Sequence, residues 1–124
     1  MKVLLVDDTR TLLSLIQVYL VGLDLRFVEA RDGIEGLARA REQRPDLIIS
    51  DIRMPGMDGF ELCAAVRADG ALHAVPFVML TSLTDETSRR QGKLVGASAF
   101  LTKPIVPEQL RATVAELLKL PAAR

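Results

Sequence analysis

Four apolar runs, residues 3–6, 47–49, 77–80 and 97–101, each stop within two residues of a side chain able to do chemistry: Asp7 and Asp8, Asp51, Thr81, and Lys103. Short apolar runs are the pattern of parallel strands buried on both faces. In an open α/β sheet the carboxyl ends of such strands border the crevice that takes ligands. Three carboxylates, a hydroxyl and an ammonium would then converge. That set suits the holding of a divalent cation with a phosphoryl group beside it.

Between the runs the period changes to that of amphipathic helices, so strands and helices alternate and predict an α/β domain with five of each. The first helix starts near Thr9 or Thr11 and carries Leu12, Leu15, Ile16, Tyr19 and Leu20 as its core stripe, with Gly22 ending it. A strand over 24–30 follows. The turn Asp32-Gly33 opens a second helix with Ile34, Leu37 and Ala38, and Pro45 closes the connection to the next strand. Met57-Asp58-Gly59 starts a third helix that runs to about Ala68. The last helix begins at Pro107, a residue suited to a first helical turn, and continues through Leu110, Val114, Leu117 and Leu118. The fourth helix, over 84–95, is mostly polar and has only Leu94, Val95 and Leu83 to bury, which places it at the low end of local stability.

The 124 residues predict one domain over 1–120 with a short tail, 121–124. With 16 basic and 16 acidic side chains, nothing in the charge balance favours a polyanion-binding surface, so no direct nucleic-acid role is expected. No apolar stretch approaches the ~20 residues of a membrane span and no signal-peptide pattern opens the chain, which predicts a soluble, cytoplasmic protein with no membrane role. Cys63 is the single cysteine and reads as helix packing. His73 reads as a loop residue at the end of the sheet opposite the strand tips.

Clustered carboxylates are costly without a counter-charge. Two of them ~5 Å apart repel by roughly 3 kcal/mol at an effective dielectric of ~20, which raises at least one pKa. A bound Mg²⁺ removes that cost, and Mg²⁺ favours one or two carboxylates together with water and phosphate oxygens. An isolated Asp7-Asp8 pair reads as an N-terminal helix charge. Convergence with Asp51 favours the metal.

The segment from Asp51 through Ile52-Arg53-Met54-Pro55-Gly56-Met57-Asp58-Gly59 resembles the stretch that follows the phosphorylated aspartate in the receiver domains of two-component response regulators. Val3-Leu4-Leu5-Val6-Asp7-Asp8 is similar to that family's acidic-pair strand, Val78-Met79-Leu80-Thr81-Ser82 to its switch strand, and Phe100-Leu101-Thr102-Lys103-Pro104 to its lysine strand. The resemblance spans essentially the whole chain. It implies a doubly wound, five-stranded parallel sheet of order 2-1-3-4-5 with five helices, the flavodoxin-like receiver fold.

It also implies roles. Asp51 is the nucleophile that becomes an acyl phosphate, drawing on a phosphohistidine of a sensor histidine kinase or phosphotransfer protein. Asp8, Asp51 and the backbone carbonyl of Arg53 ligate Mg²⁺, and Asp7 acts mainly through a metal-bound water. Lys103 supplies positive charge to the phosphoryl group, with Pro104 placed for a cis bond, and Thr81 donates its hydroxyl. Phe100 takes the aromatic switch position, where its ring moves inward with Thr81 and rearranges the face of the fourth helix, fifth strand and fifth helix that a downstream protein reads. Dimerisation through that face on phosphorylation is a further implication. Arg53 and Leu83 lie near the path of an attacking water and neither can orient it, so a long-lived phosphoryl state is expected.

Two other classes are weighed against this one. A phosphatase of the haloacid-dehalogenase kind needs an Asp-x-Asp pair, and Arg53 stands where its second aspartate belongs. A phosphorylation-independent interaction module of the same fold would have lost a site residue, and none is missing.

Overall fold

The computed structural model describes residues 1–82 and 86–120. Its elements alternate strictly: β1 (Lys2–Val6), α1 (Arg10–Tyr19), β2 (Arg26–Ala30), α2 (Gly33–Gln43), β3 (Leu47–Asp51), α3 (Gly59–Ala68), β4 (Phe77–Thr81), α4 (Glu86–Val95), β5 (Ala99–Thr102) and α5 (Pro107–Leu117). All strand pairs are parallel, in the order β2-β1-β3-β4-β5. The expected doubly wound α/β sheet is therefore present. Because order reverses between β1 and β3, their carboxyl ends open on the crevice where the connecting chains diverge to opposite faces.

The central strands, Lys2 apart, are buried throughout because successive side chains enter opposite cores. Leu4, Val6, Ile48, Phe77 and Met79 pack with Ala40, Leu62, Cys63 and Val66 on one face. Val3, Leu5, Ile49, Val78 and Leu80 pack with Leu13, Ile16, Leu110 and Val114 on the other. The strand period of two thus divides the apolar runs between two helical layers.

Several helix details depart from the expected stripes. In α1 the buried residues are Leu13 and Ile16, and Leu15 faces solvent. In α2, Ile34 and Ala38 are exposed while Gly33, Gly36 and Ala40 are buried. The reason is close approach: a Cβ at Gly36 would stand 3.1 Å from Val6 Cγ2, and one at Gly33 would stand 2.4 Å from the Met57 carbonyl oxygen. Small residues let the helix backbone settle where large ones would hold it off. In α4, Leu94 is 82% exposed, against its expected burial, and Val95 is only partly buried. The predicted start of that helix and the reading of Leu83 lie outside the described residues.

Strand β2 begins at Arg26, two residues later than expected, because Asp24 adopts a left-handed φ of 56° that ends extended geometry there. Cys63 is fully buried in α3 and His73 is exposed in the loop before β4, as expected of both. Among the described residues no helix is long and apolar enough to cross a membrane.

Candidate phosphoryl and metal site

Strand β1 delivers Asp7 just past its last residue, and β3 ends on Asp51. Asp7 is 1% exposed and Asp51 is 7% exposed, whereas Asp8 faces solvent. One carboxylate oxygen from each of these three residues lies within 4.8 Å of the others. The sheet register accounts for the meeting. Val6 pairs with Ser50, so the next residues on the two chains, Asp7 and Asp51, emerge side by side.

Each buried carboxylate is held locally. Asp7 Oδ1 accepts a hydrogen bond from the Thr9 N–H at 2.8 Å, and the Asp7 N–H donates to the Ala30 carbonyl at 3.0 Å. Asp51 Oδ1 accepts from the Ile52 N–H at 2.8 Å. Ser50, fully buried, donates its hydroxyl to the Asp51 carbonyl at 2.8 Å. Gly59 lies directly beneath: a Cβ there would sit 2.5 Å from that same carbonyl oxygen, so the start of α3 can approach β3 only as glycine.

Lys103, the residue after β5, closes the cluster. Its Nζ lies 3.2 Å from Asp51 Oδ2 and 3.7 Å from Asp7 Oδ2. The Lys103-Pro104 peptide bond is cis. The Lys103 N–H donates to the Thr81 carbonyl at 2.8 Å, which ties the lysine to the end of β4. Thr81 is 2% exposed and pairs in register with Thr102, one step beyond the pairing of Asp51 with Leu80.

One ammonium does not neutralise three carboxylates. Desolvation pushes the Asp7 carboxyl above its ordinary range, and the nearby Asp51 charge adds to the rise, while the Thr9 N–H and Lys103 oppose it. Asp7 Oδ2 is buried with no hydrogen-bond partner. A buried acceptor left without a donor costs free energy that a cation would recover. Hard oxygen donors of this kind match a hard divalent ion. The acidic cluster of Asp7, Asp8 and Asp51 is therefore suited to a metal.

The remaining predicted residues fall outside the carboxylate cluster. Arg53 follows β3 by two residues; its side chain is exposed, and it lines a surface cavity with Ile52, Met54, Pro55, Asp58 and Phe60. Phe100 is half-buried on β5 and packs toward α4. Thr9, Ser50 and Gly59 support the site; in the sequence Thr9 stands out only as a helix start, Gly59 as a helix start and the end of the Asp51 segment, and Ser50 not at all. The only signal for them is adjacency to a strand tip or to a helix start.

The fold and this arrangement define a class, and the comparisons agree with it. Residues 3–115 match the family model described as the response regulator receiver domain, and the chain belongs to that family. It is similar to the protein PilG of Pseudomonas aeruginosa, with 32% identity over 110 residues, 89% of this chain and 82% of PilG. Among solved structures it is similar to the chemotaxis response regulator CheY4 of Vibrio cholerae, with 40% identity, a TM-score of 0.87, and 94% and 97% of the two chains covered. It is also similar to the receiver domain of the sensor histidine kinase PA1611 from Pseudomonas aeruginosa, at 28% identity and a TM-score of 0.86 over 95% and 97% of the two chains. That structure is described as having a magnesium ion coordinated in its active site cleft. The chain spans only 26% of one further curated relative and about half of several others.

Proposed function

We propose that this receiver domain, over residues 1–120, is a phosphoacceptor switch in which Asp51 takes a phosphoryl group from the phosphohistidine of a sensor kinase or phosphotransfer protein. The observation that carries the reading is the meeting of three carboxylates within 4.8 Å, with Lys103 Nζ 3.2 Å from Asp51. An Asp51 carboxylate oxygen forms the new bond to phosphorus as the phosphorus–nitrogen bond of the donor breaks, and the electron pair stays with the imidazole. Lys103 draws a phosphoryl oxygen toward its ammonium and offsets the charge that develops. Thr81, at the adjacent strand end, donates its hydroxyl to a second oxygen.

Asp7, Asp8, Asp51 and the Arg53 backbone carbonyl are assigned to Mg²⁺, which supplies charge neutralisation between the carboxylates and the incoming phosphoryl oxygens. The orphaned Asp7 oxygen and the magnesium described for the PA1611 receiver support that choice. The domain thereby assists its own phosphorylation and its own dephosphorylation. Arg53, exposed two residues past Asp51, has no carboxylate or amide to orient water, which supports a phosphoryl state that outlasts seconds.

Phosphorylation shifts the population toward a state with Thr81 and Phe100 drawn inward. The altered face of α4, β5 and α5 controls a downstream protein or a second copy of the chain in the cytoplasm. Intact mass after incubation with Mg²⁺ and acetyl phosphate tests the assignment. One Mg²⁺-dependent phosphoryl addition is expected in the wild type and none in Asp51→Asn. No addition in either protein would favour a phosphorylation-independent interaction module.

A further inference from the structure

Gly92 is the one buried residue among those described in α4. Inside a helix glycine is the least favourable residue apart from proline, so its place there calls for a cause. That cause is the ring of Phe100. A Cβ on residue 92 would stand 1.8 Å from Phe100 Cζ, 2.7 Å from Cε1 and 2.9 Å from Cε2. The ring therefore lies against bare helix backbone, in space that any other residue type would fill.

Arg89, one helical turn earlier, adds a second wall. Its guanidinium lies 5.8 Å from the centroid of the Phe100 ring, within reach of a cation–π attraction. Arg89 Nη2 also donates to Thr102 Oγ1 at 3.2 Å, and Thr102 is the register partner of Thr81. One side chain thus touches both the ring and the strand position beside the proposed switch threonine.

We propose that Gly92 and Arg89 form a seat that holds the Phe100 ring on the α4 side, so that these two positioning residues set the resting bias of the switch. The switch half rests on the phosphoacceptor reading; the seat itself does not. Filling the seat penalises the resting arrangement and leaves the inward one untouched. Ligands that favour the inward arrangement then bind more tightly, by linkage.

Two measurements test this. The first is a double-mutant cycle in urea unfolding: Gly92→Ala in the wild type and in a Phe100→Leu background. Alanine should strengthen α4 wherever the ring is absent, so the substitution should raise the unfolding midpoint more in the Phe100→Leu background than with Phe100 present. Equal shifts in both backgrounds would overturn the seat. The second is binding of beryllofluoride, a phosphoryl mimic, in the presence of Mg²⁺. Gly92→Ala and Arg89→Ala should each bind about fivefold more tightly than wild type, toward the lower end of site-to-site coupling, and Phe100→Leu should erase the gain from Gly92→Ala. Unchanged affinity in both variants, alongside a positive unfolding cycle, would overturn the control of the switch by the seat. Failure of every variant and the wild type to bind beryllofluoride would overturn the phosphoacceptor reading and the switch half with it, while the unfolding cycle still decides the seat.

Discussion

Helices α3 and α4 lie next to each other and have ten residues each, yet they are attached to the protein in opposite ways. Helix α3 opens with a capping box, in which Asp58 accepts from the Glu61 N–H at 2.8 Å and Glu61 accepts from the Asp58 N–H at 3.1 Å. It buries Gly59, Phe60, Leu62, Cys63 and Val66. Helix α4 buries Gly92 alone among its described residues, and its Glu86–Arg90 ion pair, at 3.7 Å, is exposed. Apolar burial is what chiefly fixes a helix in a protein, so α3 belongs to the rigid frame and α4 to the part that opens first. In the proposed switch, that leaves α4 little to lose by moving.

The largest expected effect separates the two helices directly. Leu62→Ala should cost about 2–5 kcal/mol in denaturant unfolding, because Leu62 is fully buried and its removal leaves a cavity. Leu94→Ala should stay within about 0.5 kcal/mol, and comparable losses at the two sites would break the contrast.

Next comes the alkaline limb of the stability profile. Burial pushes the Cys63 thiol up to about 11, with Arg67 pulling weakly the other way. Between the ordinary thiol value near 9 and about 11 the unfolded chain gives up this proton while the folded chain keeps it. The contribution is therefore whole below pH 9 and is lost as pH rises through the folded value. Unfolding curves across that window should fall more steeply for wild type than for Cys63→Ala; parallel curves would show the thiol to be less enclosed than the rest of α3.

The smallest effects concern the helix ends. Asp58→Ala should cost about 1 kcal/mol through loss of the capping box. Glu86→Gln, which removes a solvent-screened pair, should cost roughly 0.3 kcal/mol at low salt and less at high salt. A larger loss at Glu86 than at Asp58 would reverse the order of attachment.

Much of this molecule is legible in its residues. Strands β1, β3 and β4 are apolar on both faces, so they stand out as runs, and parallel topology then brings Asp7, Asp51 and Thr81 to one edge without further information. Lys103 follows from the same logic on β5. What escapes is whatever depends on small residues and on long side chains reaching across the fold. The buried stripe of α2 is Gly33, Gly36 and Ala40, which no hydrophobic period picks out, while the large Ile34 is left in solvent. Leu94 looks like a core residue by composition and is not, because α4 presents glycine to the sheet and lets Phe100 fill the gap. Gly59 is required by a carbonyl contributed from another element, a demand that one-dimensional spacing does not display.

Arg67 ties α3 to the end of α4. From the last turn of α3 its guanidinium donates to the carbonyls of Gly96 at 3.0 Å, His73 at 3.1 Å and Val75 at 2.6 Å. Gly96 is the residue immediately after α4, and its φ of 96° leaves no room for a side chain against that arginine. The far end of α4 is thus riveted to the frame of α3, while its first turn buries no residue and touches the sheet through Arg89. In the proposed switch, α4 would therefore pivot at Gly96, with the widest arc at Glu86, its other end.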